Sequence, residues 1–252
     1  DVENAITPET VLISIMHANN EVGTIQPIER ISEIAKSHQV LVHTDCAQSV
    51  GKIPVNVDDL GVDLLSIAGH KIYAPKGIGA LYIRKKIQID QLMFGAGQEN
   101  GQRPGTENVI YSVALGEAFA MVGKDLRSYS NHMKTMRDRL ESRILSNVPG
   151  TRINGHPEQR LPNTSSLSFE GLKANEILDS FETIAASAGA ACHSDSVTIS
   201  NVLVAMNVPI DFALGTIRFS TGRQTTEEEV DTAADEVCRV VGLLSQGSLS
   251  EV

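Results

Sequence analysis

Three short apolar runs, each separated from the next by enough chain for one helix and a turn, constrain this sequence more than any other feature. "VLISIM" (Val11 to Met16) is almost continuously apolar, the pattern of a strand buried on both faces of a parallel sheet. "PIERISEIAKSHQ" follows it. There Ile28, Ile31, Ile34 and Ala35 recur at helical spacing, and Pro27 suits a first helical turn. "VLVH" from Val40 reads as a second strand, and "VDLLSIA" from Val62 and "IGALYIR" from Ile78 as two more. Strand, helix and strand with short connections form a βαβ unit, whose crossover is right-handed.

The glycine-rich stretch "FGAGQENGQRPGTEN" (Phe94 to Asn108) interrupts this pattern. Asn108 to Leu145 has helical composition, with Gly116 and Gly123 as the expected places for a break. A domain boundary is placed within this helix, giving residues 1–125 and 126–252. Beyond it "TSSLSF" reads as a strand, "KANEILDSF" as a helix, Asn201 to Met206 as a helix and "TIRFSTG" as a strand. "TTEEEVDTAADEVCRVVGLL" is a closing helix in which Thr226 and Glu229 have capping-box spacing. The fold class is therefore α/β, in two parts.

With 252 residues, 41% of them hydrophobic, the chain has material for one large or two modest cores. No run approaches the ~18 apolar residues of a membrane span, so no membrane partner is expected. A net charge of −10 argues against nucleic acid. The cysteines Cys46, Cys192 and Cys238 form neither a CxxC pair nor a ligand cluster, so no metal site is expected. They suit a reducing compartment, with the cytoplasm as the expectation and the mitochondrion as the alternative. Cys46 follows a strand and Cys238 lies on a helical face, and both are expected to be buried. Cys192 sits in "SAGAACHSDS", which lacks bulky apolar residues and reads as a surface loop. The opening "DVENAITPET" has the character of a loop from the middle of a larger chain.

In open α/β sheets, ligands bind outside the carboxyl ends of the strands. Asn20 follows the first strand, Asp45 and Gln48 the second, and Lys71 the third. Each alone is an ordinary polar loop residue. Together, 25 and 26 residues apart from Asn20 to Asp45 to Lys71, they bring an amine, a carboxylate and two amides to one edge. That set suits pyridoxal 5'-phosphate. This cofactor needs a lysine for its Schiff base and a carboxylate on its pyridinium nitrogen, while amides such as Gln48 and Asn20 can hold the ring's 3-oxygen. Arg218, between Ile217 and Phe219 on an expected strand, faces opposite to both.

Six ordered motifs then carry a resemblance over nearly the whole chain: "MHANNEVGTIQPI", "HTDCAQSVGK", "GHKIYAPKGIGALYIRK", "GQENGQRPGTEN", "AGAACHSD" and "IRFSTGRQTTEEEVD". They resemble the NifS-like cysteine desulfurase and selenocysteine lyase family of the aminotransferase class V superfamily, and more specifically its selenocysteine lyase-like branch. The resemblance implies a fold type I pyridoxal-phosphate transferase. Residues 1–125 would be the carboxyl-terminal part of the large cofactor domain, with its parallel or mixed sheet. Residues 126–252 would be the small α/β domain with the catalytic cysteine loop.

The resemblance also implies roles. Lys71 carries the cofactor and moves protons, and Asp45 pairs with the pyridinium nitrogen. Asn20 and Gln48 contact the 3-oxygen, and Asn20 also faces substrate. His70 contacts the phosphate, and Thr106 contacts the phosphate of a partner subunit's cofactor, which implies a homodimer. Arg218 grips the substrate carboxylate, for which a guanidinium fork is suited. Cys192 is the nucleophile. The implied reaction takes L-cysteine or L-selenocysteine to L-alanine, passing sulfur or selenium toward an acceptor protein. One departure is Ala68, where many relatives have a serine that binds phosphate; selenocysteine lyase-like members often carry an apolar residue there. A second is that the family's Gly-Thr-Glu phosphate loop and ring-stacking histidine would lie upstream of Asp1. The chain thus resembles the last three-fifths of a subunit, and the alternative expectation is an incompetent fragment acting at most as a binding module.

Overall fold

The computed structural model describes residues 1–188, 190–193 and 196–248; the side chains of residues 190–198, 247 and 248 lie outside the description. The chain forms two compact units, residues 1–18 with 26–126, and residues 19–25 with 127–252.

The first unit opens with the short helix α1 (Val2–Ala5), then β1 (Leu12–Met16), α2 (Ile28–Ser37), β2 (Leu41–Asp45), α3 (Val57–Leu60) and β3 (Leu64–Ala68). A 3-10 turn (Gly69–Ile72) leads to β4 (Gly79–Ile83), and a second (Glu99–Gly101) precedes α4 (Val109–Asn147). The sheet order is β1-β2-β3-β4. The first three strands are parallel, as the helical spacers require, and β4 is antiparallel to β3. The 10 residues between β3 and β4 are too few for a parallel crossover. Ile28, Ile31 and Ala35 of α2 pack with Val42, Leu65 and the α4 residues Leu115, Ala118 and Val122 into one core.

The expected double-sided burial of the first strand is not met. β1 is an edge strand whose residues Ile13 and Ile15 pack on the core, while Leu12 and Met16 are exposed and Val11, just before it, is 78% exposed. Continuous apolar character told of two faces that avoid water, and within this unit only one is covered.

The second unit takes residues 127–147 of α4, then β5 (Thr151–Ile153), β6 (Thr164–Phe169), α5 (Ala174–Asp179), β7 (Ser187–Ala188), β8 (Ala190–His193), β9 (Ser196–Ile199), α6 (Asn201–Ala205), α7 (Ile210–Ala213), β10 (Thr216–Ser220) and α8 (Glu227–Ser248). The antiparallel sheet β5-β6-β10-β7 packs its apolar face, with Leu167, Ile217 and Phe219, against Met136, Leu140 and Ile144 of α4 and Val237 and Val241 of α8. Arg139 reaches Asp231 with Nε at 2.7 Å, joining the two helices on their solvent side. The capping box is formed: the Glu229 carboxylate accepts from the Thr226 N–H at 2.8 Å, and the Thr226 hydroxyl accepts from the Glu229 N–H at 3.2 Å.

Two expectations need correction. α4 is interrupted at Asp125 (φ −125°, ψ 17°), not at Gly116 or Gly123, so the non-helical residue falls beside the passage from one unit to the other. A lone glycine weakens a helix without ending it. The backbone around Cys192 is a strand rather than a loop: β8 pairs antiparallel with β9, Cys192 opposite Val197. Val197, Thr198 and Ile199 are β-branched, which favours the extended form.

Candidate active site

The carboxyl ends of β1, β2 and β3 align. Met16 is in register with Asp45, and Asp45 with Ser66. The Asp45 carbonyl accepts from the His17 N–H at 2.9 Å, and the Cys46 N–H donates to the Ser66 carbonyl at 2.9 Å, so the backbone on both sides of Asp45 is fixed. The Asp45 carboxylate is exposed. Its Oδ1 accepts from the Ala47 N–H at 2.8 Å, which starts the following turn. Among the described residues no cation pairs with it.

That turn, residues 46–52, rests on a buried cluster. His17 Nδ1 lies 3.0 Å from Ser49 Oγ and 3.6 Å from Cys46 Sγ. Burial lowers the His17 pKa and keeps the imidazole neutral. Cys46 is fully buried, as expected, and burial pushes its thiol up to about 11, which removes it as a nucleophile. Gly51 has φ +78°, and a Cβ there would sit 2.7 Å from Ile72 Cγ2. The turn that carries Gln48 therefore packs directly on the 3-10 turn that carries His70 and Lys71. Gly69 is equally confined, since a Cβ would lie 2.8 Å from the Ile78 carbonyl oxygen. His70 and Lys71 are exposed, and Lys71 forms no ion pair among the described residues.

Lys52 was missed by the sequence reading. It is 8% exposed, donates from Nζ to the Gln48 carbonyl at 2.9 Å, and has no carboxylate partner among the described residues. Burial first, and the neighbouring Lys71 charge second, lower its pKa from 10.5 to about 8. Between those two values the unfolded chain binds a proton that the folded chain does not, so this group adds stability as pH rises through that window. At pH 7 the buried charge costs up to about 3 kcal/mol, and its bond to Gln48 returns about 1 kcal/mol. Lys52→Met is expected to be about 2 kcal/mol more stable than wild type at pH 7, with the gain fading as pH approaches 10. Urea unfolding of both proteins across this range measures it, and a gain independent of pH would contradict the assignment.

In the second unit, residues 19–25 are stitched to the main part. Asn19 Oδ1 accepts from the Glu21 and Val22 N–H groups at 2.8 and 3.0 Å. The Leu161 N–H donates to the Gly23 carbonyl at 2.8 Å, and Thr24 pairs with Arg160. Asn20 is exposed, and its carbonyl accepts from Arg218 Nη1 at 2.8 Å. Arg218 lies on the inner strand β10, facing away from Ile217 and Phe219 as expected. Its Nη2 donates to Ser187 Oγ at 3.0 Å, and Nε has no partner among the described residues.

The face it shares is polar and buried. Ser168 Oγ lies 2.7 Å from Thr216 Oγ1 and accepts from Asn154 Nδ2 at 2.7 Å. Sequence reading missed this face. Its signal was the serines at alternate positions of "TSSLSF".

The structure thus places Asp45, Gln48, His70 and Lys71 on one edge of the first unit, and Asn20 with Arg218 in the second. Thr106 is exposed on a loop whose neighbours Arg103, Glu107 and Asn108 line a groove of about 1090 Å³ against β4. The Cys192 side chain lies outside the described residues. Cys238, expected to be buried, is half-buried beside Ser142 and Arg143. Among the described residues there is no cluster able to hold a metal ion, and no helix long and apolar enough to cross a membrane.

An amine and a carboxylate without ion-pair partners among the described residues, flanked by an amide and an imidazole at the ligand edge of the sheet's parallel strands, fit pyridoxal 5'-phosphate. Lys71 would hold its aldehyde carbon and Asp45 its ring nitrogen.

Comparison with known proteins gives the same family. A cysteine desulfurase IscS from Dictyoglomus turgidum is 44% identical over 243 residues, covering 96% of this chain and 62% of its own length. A solved NifS-like protein superposes with a TM-score of 0.86 at 37% identity, covering 97% of this chain and 64% of that one. SspA, solved in complex with cysteine, gives 0.71 at 36% identity, covering 89% of this chain and 62% of that one. The chain spans about three-fifths of the length of these relatives. The aminotransferase class-V pattern matches residues 1–232, so the chain belongs to that family of pyridoxal-phosphate-dependent enzymes and has its fold type I architecture.

Proposed function

We propose that this chain forms part of an enzyme that removes sulfur from L-cysteine, leaving a persulfide on Cys192 and releasing L-alanine. The observation that carries the proposal is the edge of the first unit, where Lys71 and Asp45 have no ion-pair partners among the described residues, on turns pinned to each other through Gly51 and Ile72. Relatives named cysteine desulfurases support the choice of substrate.

When bound, pyridoxal phosphate supplies an electron sink for the substrate α-carbon. Lys71 is the base that takes the α-proton and returns it. Asp45 would hold the ring nitrogen, its carboxylate favouring the protonated form. Gln48 and Asn20 would hold the ring oxygen, His70 would hold the phosphate, and Arg218 would orient the substrate carboxylate. The Cys192 thiolate attacks the substrate sulfur. A sulfur–sulfur bond forms as the carbon–sulfur bond breaks, and the former β-carbon takes the electron pair and a proton to become the methyl group of alanine.

The proposal extends to a homodimer in which Thr106 contributes to the partner's phosphate site, and to an acceptor protein for the persulfide. L-Selenocysteine is the second substrate, favoured by Ala68 in place of the phosphate-binding serine. A second reading, that these 252 residues alone act at most as a binding module, is favoured by the uncovered apolar face at Leu12 and Met16.

The experiment is turnover of L-cysteine by the full-length protein loaded with pyridoxal phosphate. Sulfide in the presence of a thiol reductant and alanine are expected in equal amounts. Alanine formation without sulfur transfer would refute the proposal. Running the 252-residue chain in parallel decides the second reading.

A further inference from the structure

Arg218 is a half-buried cation with no carboxylate partner among the described residues. Two acceptors fix its guanidinium. One is the Asn20 carbonyl, a backbone atom 2.8 Å from Nη1. The other is the Ser187 hydroxyl, 3.0 Å from Nη2. Ser187 sits directly beside Arg218 in the β7–β10 register and is the one side chain that accepts from this guanidinium among the described residues. On its other flank Arg218 faces Ser166 of β6. Nε is enclosed and has no partner among the described residues.

A two-point grip on a carboxylate needs the guanidinium plane held at one angle. One anchor at Nη1 leaves rotation about that contact, and the second anchor at Nη2 removes it. β7 is only two residues long and pairs with β10 through Ile217–Ala188 and Arg218–Ser187. The same hydroxyl therefore also ties the start of the segment leading to Cys192 onto the strand that carries Arg218.

We propose that Ser187 is a positioning residue for substrate recognition, holding the Arg218 guanidinium at the angle that meets the carboxylate of an α-amino acid. This rests on the reading of Arg218 as the carboxylate ligand. It adds a determinant that discriminates amino acids from simple amines.

The test uses full-length protein loaded with pyridoxal phosphate, titrated with L-alanine and with methylamine and followed by the change in visible absorbance. Both ligands offer an amine, and only L-alanine offers a carboxylate. Ser187→Ala is expected to weaken L-alanine about 5- to 10-fold, the size of one typical net hydrogen bond, and to leave methylamine within about 2-fold. Ser187→Thr, which keeps the hydroxyl, is expected to bind L-alanine like wild type. Ser187→Val, with the same shape and no hydroxyl, is expected to match the alanine variant. This pair keeps the comparison valid if Ser187→Ala folds poorly. Equal L-alanine binding by the valine and threonine variants would overturn the proposal, as would equal weakening of both ligands. Arg218→Met separates the two levels. If it binds L-alanine as wild type does, the carboxylate reading itself fails. If it loses L-alanine while Ser187→Val does not, Ser187 alone is excluded.

Discussion

Lys71→Ala is expected to lose the pyridoxyl label that borohydride fixes in the wild-type protein, and to turn over L-cysteine slower by at least about 10³-fold, as for loss of a general base. The prediction sets geometry against basicity. Lys52, with its pKa lowered to about 8, is in part neutral near physiological pH, and by its own protonation state it suits attack on an aldehyde. It is nevertheless buried and committed to the Gln48 carbonyl. Lys71 is exposed on a turn held by Gly69 and Ile72, at the edge where Asp45 ends β2. Lys76 is exposed in the turn that leads to β4. Reduction of the loaded wild-type protein followed by peptide mapping should place the label on Lys71. A label on Lys52 or Lys76 would mean that access does not select the lysine and would remove Lys71 from its assigned role.

The arrangement of the first unit was legible because helix and strand periods differ. Ile28, Ile31 and Ala35 could only form one stripe as a helix, and that stripe could only be buried by bringing the flanking strands parallel. The positions of Asn20, Asp45 and Lys71 after those strands followed from the same logic. What escaped was information that depends on register. The pairing of Ser187 with Arg218 joins residues 31 apart in sequence, and serine is an ordinary loop residue until that pairing is seen. The buried Lys52 escaped for a related reason. A lysine after a turn reads as solvated, and its burial and its bond to the Gln48 carbonyl are seen only in the folded turn. The apolar run at Val11 to Met16 misled in the opposite direction, since composition cannot say whether a strand's second face is covered. Residues 19–25 show the same limit. They follow β1 directly, yet their hydrogen bonds run to Gln159, Leu161 and Arg218 of the second unit.

Cys192→Ala is expected to reduce sulfide release from L-cysteine to background, while the pyridoxal-phosphate absorbance of the loaded protein stays unchanged. The three cysteines differ in what their surroundings allow. Cys46 is enclosed with a thiol raised to about 11, so at neutral pH fewer than about one molecule in 10³ carries the thiolate. Cys238 is half-buried, and burial followed by the Asp235 charge also raises its pKa. Neither suits attack on sulfur, so Cys46→Ala and Cys238→Ala are expected to turn over normally. Cys192 is the remaining thiol, five residues beyond the Ser187 that holds Arg218. With L-cysteine the carbon–sulfur bond needs a nucleophile to accept sulfur, and the alanine variant supplies none. A selenol ionises well below neutral pH and leaves more readily, so the same variant is expected to keep part of its alanine formation from L-selenocysteine. Measuring alanine from both substrates in wild type and variant separates the two chemistries. Loss with cysteine and retention with selenocysteine fits a thiol that accepts sulfur and a selenium that departs unaided. Loss with both would make Cys192 a selenium acceptor as well. Unchanged turnover of L-cysteine in the variant would eliminate Cys192 as the acceptor and, with it, the persulfide route.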